Sequence, residues 1–314
     1  MGLTIGVDVG GTKVAAGVVD EGGGIVEKLR RPTPSTNPEE TAEAIATVVE
    51  ALKARYDVEA VGLGAAGFVD VTRSTVLFAP NLAWRDEPLK EKVEGRVDLP
   101  VVVENDANAM AWGESEFGAG KGTDFLVCIT LGTGIGGGII IDGELYRGRW
   151  GLGAEMGHCR VVPEGRRCGC GNRGCWEQYA SGRALVAEAR DLARQSPALG
   201  GRLLELGGGT PAGINGETVT KAAKEGDAAA LDCLRVVGGW LGQGLADIAA
   251  VLDPGCFIVG GGVSDAGDLL LDPTREALAK ALTGRGHRPV ADVRVAQLGP
   301  DAGLVGAADL ARRR

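Results

Sequence analysis

The chain has 314 residues, 44% hydrophobic and 24% charged, with a formal net charge of −9. That profile suits a folded protein of two lobes and argues against a disordered or membrane-embedded chain. The acidic balance argues against non-specific nucleic-acid binding, which needs clustered Lys and Arg over the phosphates. The one dense basic stretch, Arg312, Arg313 and Arg314, reads as a solvated tail.

Residues 3–9 and 14–19 are apolar runs predicted as strands, joined by Gly10-Gly11-Thr12-Lys13. A turn at Glu21-Gly22-Gly23-Gly24 leads into a third strand over 25–29. A helix follows, with Asn37 as cap, Pro38 in first position, and Ile45, Val48, Val49 and Leu52 on one face. Short buried strands are predicted over 58–63 and 99–103, and a helix over 107–116. Strands over 125–131 and 138–141 flank Gly132-Thr133-Gly134, and Asp142-Gly143 reads as a hairpin turn. The pattern of strand, glycine turn and strand thus occurs twice, which suggests two similar lobes. Leu231, Leu234, Leu241, Leu245, Ile248 and Leu252 predict a long core helix, ended by Asp253-Pro254. A buried strand over 256–259 then runs into Gly260-Gly261-Gly262. No apolar run approaches the 18 residues of a membrane span, and no leader pattern opens the chain, so a cytoplasmic location is expected. The odd cysteine count, seven, argues against a fully paired disulfide framework.

Glycine is over-represented, at 53 residues, and clusters after the apolar runs. The Gly6–Lys13 stretch is not a P-loop, because Thr12 precedes Lys13 and a strand follows. The G-x-G-x-x-G matches at Gly62–Gly67 and Gly132–Gly137 lack the helix that a dinucleotide fingerprint requires. What remains is a hairpin phosphate cradle. Gly10 and Gly11 let backbone N–H groups face an anion, Thr12 adds a hydroxyl, Lys13 adds charge, and Asp8 can hold Mg²⁺ through waters. A tight hairpin with a capping Asp would read the same way. The clusters at Gly132-Thr133-Gly134 and Gly260-Gly261-Gly262 tip the balance toward phosphates gripped from two sides and a base lying on backbone.

His158, Cys168, Cys170 and Cys175 form a tetrahedral donor set for Zn²⁺ within Gly-rich polar sequence. Four protein ligands leave no open position, so the metal is expected to be structural. Cys128, Cys233 and Cys256 lie in apolar runs and read as core. Asp106 stands at a strand end and helix start, and is the expected general base for phosphoryl transfer to an alcohol; a helix cap is the alternative. Glu155 and Glu177 flank the metal cluster and suit sugar diols, or are ordinary surface acids. Asn81, in the turn after Pro80, is a sugar contact or an Asx turn.

These pieces together resemble the ROK family of sugar kinases: Asp8-Val-Gly-Gly-Thr-Lys13, Pro80-Asn81, Glu104-Asn-Asp-Ala-Asn108, Leu131-Gly-Thr-Gly-Ile-Gly-Gly-Gly138, Glu155-Met-Gly-His158, Cys168-Gly-Cys-Gly-Asn-Arg-Gly-Cys-Trp-Glu177 and Gly260-Gly-Gly262. The resemblance is strongest to the ATP-dependent glucokinases of that family and covers nearly the whole chain. It implies an actin-like, ribonuclease-H-like α/β fold of two lobes with a cleft between, here 1–108 with 300–314, and 109–299 carrying the zinc site. It implies Mg-ATP in that cleft, with its phosphates at the 8–13 and 131–134 turns, Asp106 as base, and Asn105, Glu155, His158 and Glu177 around glucose. It adds a second role for His158, as sugar contact, a backbone contact from Gly67, and a homodimer or homotetramer. Met156 departs from the pattern, where Phe or another apolar residue is expected. Within the family, a kinase for N-acetylmannosamine, mannose or fructose is the alternative. A polyphosphate donor is disfavoured because that branch lacks the Cys cluster, and a repressor because Asp8 comes too early for a preceding DNA-binding domain.

Overall fold

The computed structural model describes residues 2–313. In chain order the elements are β1 (Leu3–Val9), β2 (Lys13–Val19), β3 (Ile25–Pro32), α1 (Pro38–Lys53), β4 (Val58–Ala65), β5 (Phe68–Val69), β6 (Val76–Phe78), β7 (Arg85–Glu87), α2 (Leu89–Val97), β8 (Val101–Asn105) and α3 (Asp106–Phe117). They continue with β9 (Leu126–Leu131), β10 (Ile135–Ile141), β11 (Glu144–Tyr146), α4 (Glu177–Ala180), α5 (Gly182–Gln195), α6 (Gly201–Leu206), α7 (Gly216–Lys224), α8 (Ala228–Leu252), β12 (Cys256–Gly260), α9 (Asp268–Ala281), β13 (Asp292–Val295) and α10 (Ala302–Arg312).

One sheet has the order β3-β2-β1-β4-β8, a second β11-β10-β9-β12-β13, and β5-β6-β7 make a small third. The first two orders match strand for strand, which bears out the duplication seen in the glycine turns. In the first sheet β1, β2 and β3 pair antiparallel, whereas β4 and β8 join in parallel through helical crossovers. β8 starts at Val101, two residues later than expected. Pro100 has no N–H to give a ladder, and its carbonyl accepts Val61 N at 2.9 Å. The shift puts Glu104 and Asn105 on the strand.

Contacts divide the chain into two compact units, Met1–Cys128 with Gly138–Ala154 and Gln297–Arg314, and Ile129–Gly137 with Glu155–Ala296. The cuts fall elsewhere than 108/109 and 299/300. α3 belongs to the first unit because it packs on α10, where a Cβ on Gly306 would collide with the Ala109 carbonyl. α10 also lies on β1 and β4, and a Cβ on Gly6 or Gly62 would strike its backbone at Leu304 or Ala307. Part of the glycine surplus therefore serves close packing rather than anion binding.

α1 starts as expected, with Asn37 Oδ1 accepting Glu39 N at 3.0 Å and Glu40 N at 3.3 Å. It buries Ile45, Val48, Val49 and Leu52 against the first sheet's apolar cluster. At the chain's end Arg312 is docked rather than solvated, while Arg313 is exposed yet ion-paired. Asp309 pairs with Arg312 at 2.7 Å and Arg313 at 3.0 Å, and also accepts Trp112 Nε1 at 2.9 Å. Arg314 lies outside the described residues. In the second unit α8 runs 25 residues and stops at Asp253, which takes a left-handed φ of 48°. Cys128, Cys233 and Cys256 are buried, as expected. Among the described residues no helix is long and apolar enough to cross a membrane.

Candidate active site

The first unit carries the hairpin cradle. Gly10 N donates to Lys13 O at 3.1 Å to close the turn between β1 and β2, and Thr33 Oγ1 donates to Gly10 O at 2.7 Å. Thr12 and Lys13 project into solvent while Asp8 is half-buried on β1. Burial raises the Asp8 pKa, against the pull of Lys13 and Lys28. A Cβ on Gly11 would lie 3.1 Å from Asn81 O, so the turn after Pro80 sits on the cradle. Asn81 makes no side-chain hydrogen bond among the described residues, so its amide is not spent on an Asx turn.

Asn105, not Asp106, caps α3. Its Oδ1 accepts Asn108 N at 3.0 Å, and its Nδ2 donates to Gly67 O at 3.0 Å. Asp106 is half-buried in the first helical position, where the helix dipole favours a carboxylate. Gly64 lies alongside, and a Cβ there would come 3.8 Å from Asp106 Cα. The backbone of Gly67 is already engaged: its N–H donates to Ala65 O at 2.8 Å and its carbonyl takes the Asn105 amide.

The second unit gathers the other residues. Gly132 N donates to Gly134 O at 3.1 Å, and Gly132 O accepts Gly182 N at 2.9 Å from the start of α5. A cavity of about 580 Å³ is lined by Gly132, Thr133, Gly182, Arg183, Glu217 and Gly262, among others. Two of the three glycine clusters thus face one space of nucleoside size. Gly261 holds φ at 87°, and its carbonyl accepts Ser264 N at 2.9 Å and Ser264 Oγ at 2.7 Å. The residues from α5 and α7 were not anticipated. Their signal was the cap-plus-glycine pairs Ser181-Gly182 and Asn215-Gly216, in which Ser181 Oγ accepts Ala184 N at 3.3 Å and Asn215 Oδ1 accepts Thr218 N at 2.8 Å.

His158, Cys168, Cys170 and Cys175 present ligand atoms that all lie within 4.8 Å of one another. Cys168 Sγ is 3.6 Å from His158 Nδ1, and Cys170 Sγ is 3.6 Å from Cys175 Sγ. A tetrahedron with metal–sulfur bonds of about 2.3 Å has edges near ~3.8 Å, so the donor set fits a cation of zinc's size. Nδ1 faces the sulfurs, and Nε2 lies 4.0 Å from Glu155 Oε2. One imidazole therefore joins the cluster to the acid. Burial raises the Glu155 pKa, with His158 opposing and Glu177 adding to the rise. Glu177 Oε1 accepts Cys168 Sγ at 3.0 Å and Gln178 Nε2 at 3.0 Å, while Oε2 stands where a Cβ on Gly134 would fall. Trp176, buried between Cys175 and Glu177, fixes this corner: its Nε1 donates to Trp240 O at 2.9 Å and its ring fills the space over Gly244 on α8. The metal cluster, Glu155, Glu177 and the Gly132–Gly134 turn are thus neighbours.

The model of the ROK family matches residues 4–314. A glucokinase of Streptomyces coelicolor is 60% identical over 312 residues, covering 99% of this chain and 98% of that one. The crystal structure of a ROK family glucokinase from Streptomyces griseus, in complex with glucose and AMPPNP, superposes with a TM-score of 0.91 at 59% identity and full coverage of both chains. A ROK hexokinase structure from Thermus thermophilus gives a TM-score of 0.79 at 34% identity, covering 99% of this chain and 98% of that one. The mixed α/β architecture is that of the actin-like ATPase fold.

Proposed function

The chain belongs to the ROK family, and from that premise we propose that it transfers the terminal phosphoryl group of ATP to a hydroxyl of glucose, giving glucose 6-phosphate. The observation that carries this is the whole-chain likeness to Streptomyces glucokinases, 60% and 59% identical. The site chemistry agrees with it. The Gly11 N–H, the Thr12 hydroxyl and the Lys13 ammonium are suited to phosphate oxygens, whereas the Gly10 N–H expected to join them is already given to Lys13 O. Gly132, Thr133 and Gly134 offer a second such turn, and the cavity lined by Gly132, Arg183 and Gly262 has room for the nucleoside. Gly260 and Gly261 lead from β12 into Gly262, the member of that cluster that lines the cavity. Mg²⁺, arriving with ATP, supplies charge neutralisation for the transferring phosphoryl group, and Asp8 is the carboxylate placed to hold its waters.

Asp106 accepts the proton of the attacking hydroxyl. Glu155 and Glu177 accept hydrogen bonds from other sugar hydroxyls, His158 offers Nε2 beside Glu155, and Asn81 has a free amide. Asn105 and Gly67 act on the sugar indirectly, through the cap that orients α3. His158, Cys168, Cys170 and Cys175 would hold Zn²⁺, which supplies rigidity rather than a reacting group. A thiolate cluster and a need for ATP favour the cytoplasm as compartment, and a dimer or tetramer is the proposed assembly.

The test is ADP release with Mg-ATP against glucose, mannose, fructose, N-acetylglucosamine and N-acetylmannosamine. Turnover on glucose that falls about 10²–10⁴-fold in Asp106→Asn is expected. Preference for another sugar would move the substrate, and near-parent turnover in Asp106→Asn would remove the base.

A further inference from the structure

Glu104 is buried on β8, one residue before the α3 cap and two before Asp106. Its Oε1 accepts Asn105 N at 2.9 Å and Asn108 Nδ2 at 3.0 Å. Its Oε2 accepts Arg73 Nε at 3.0 Å and lies 2.8 Å from Arg147 Nε. The Arg147 N–H does not point along that line, so this contact is ionic rather than a hydrogen bond. Arg147 comes from the loop after β11, with 9% of its side chain exposed. Its two terminal nitrogens donate to Val71 O at 2.9 Å and Asp70 O at 2.8 Å. Arg73 holds a left-handed φ of 57°, and its carbonyl accepts Val103 N at 3.0 Å. The turn that carries it is set by Asp70, whose carboxylate accepts Ser74 N at 2.9 Å and Thr75 N at 3.0 Å.

A buried carboxylate held by guanidinium groups gives little net stability over an apolar core, because desolvation offsets the attraction. What it supplies is direction. We propose that Arg147, Arg73 and Glu104 are positioning residues for Asp106. Two cations from two separate loops fix one carboxylate oxygen. The other oxygen fixes the Asn105 N–H and the Asn108 amide, and so the first turn of α3 on which Asp106 stands. Displacing a reacting group by about 1 Å can cost 10²-fold in rate. This role rests on Asp106 being the base of the reaction proposed above. Arg149, two residues along the same loop, has no ion pair among the described residues and lies 5.0 Å from the Trp150 ring centroid, so it serves as a control.

The experiment compares the full chain with Arg147→Ala, Arg147→Lys, Glu104→Gln and Arg149→Ala in steady-state phosphorylation of glucose. Mg-ATP titration of each protein counts binding-competent molecules, so a folding loss is divided out of kcat. The expected result is a kcat about ten- to a hundredfold lower in Arg147→Ala and Glu104→Gln, with KM for ATP within twofold of the parent. Arg147→Lys should recover part of the loss, since it restores the charge without the planar fork, and Arg149→Ala should match the parent. Should Arg147→Ala fail to fold, Glu104→Gln and Arg147→Lys carry the same comparison. An active parent whose competent variants stay within twofold in kcat overturns the positioning alone. A parent that turns over no sugar overturns the reaction and the role together.

Discussion

Glu114 is a fully buried carboxylate whose partners are backbone N–H groups. Its Oε2 accepts Ala119 N and Gln297 N, both at 2.9 Å, and its Oε1 accepts Leu298 N at 2.7 Å. It lies on α3, the helix that begins with Asp106, and ties it to the chain entering α10. Glu114→Ala removes an acceptor from three backbone N–H groups, those of half-buried Ala119 and Leu298 and of exposed Gln297. At about 1–3 kcal/mol for each, the sum spans roughly 3–9 kcal/mol, and entering water brings the net toward about 3–5 kcal/mol. At about 2.1 cal/mol/K of unfolding entropy per residue, 1 kcal/mol corresponds to about 1.5 °C in Tm for a chain of this length, so Tm should fall by roughly 4–8 °C. Glu114→Gln keeps one carbonyl oxygen as acceptor and should fall between parent and alanine variant. Thermal unfolding followed by circular dichroism, with urea midpoints as a second measure, reads both. A Glu114→Ala protein within about 1 kcal/mol of the parent, or a Gln variant less stable than Ala, would refute the donor argument.

Asp8→Asn should abolish turnover yet stabilise the fold at neutral pH. The raised Asp8 pKa means the folded state binds the proton more tightly, so Asp8 costs stability as pH rises through its folded pKa and costs nothing below its ordinary value of 3.8. The advantage of Asn should therefore shrink as pH is lowered toward that value, which paired melting curves across pH would show. Cys170→Ser should lose zinc by elemental analysis and melt lower by several degrees, and a zinc-free variant that melts like the parent would remove the structural role. Gly262→Leu should raise KM for ATP at least tenfold with Tm nearly unchanged, because a Cβ there meets nothing within 4 Å inside the fold while the position borders the cavity.

What could be read from the sequence was local chemistry. The cradle from Asp8 to Lys13 and the donors from His158 to Cys175 each lie within one short run; spacing was enough to suggest a metal for the second, whereas the cradle needed the two further glycine clusters to favour it over a capped hairpin. The Asn37-Pro38 start of α1 is equally local. The cavity is different. Gly132, Gly182, Gly216 and Gly262 share it only because β9, α5, α7 and β12 are folded together, and no spacing rule joins them. The Glu104 clasp spans residues 73 to 147 and depends on an extended Asn105 with an αL Arg73. Asp106 was placed at a strand-to-helix junction, but the cap fell to Asn105, whose side chain reaches back to Gly67 as well as forward to Asn108. α10 is built from Ala and Gly with few large side chains, a weak periodic signal, and its glycine contacts with β1, β4 and α3 appear only in three dimensions.

The seating of α10 on Gly6 and Gly62 has a consequence for synthesis. β1 and β4 leave the ribosome long before α10 does, and until it arrives their glycine-bearing face has no cover. The nascent first unit therefore carries an open apolar surface through most of translation, the state in which chains aggregate or engage chaperones. Substitutions that weaken α10 should reduce the yield of soluble protein more than they reduce the melting temperature of the molecules that do fold.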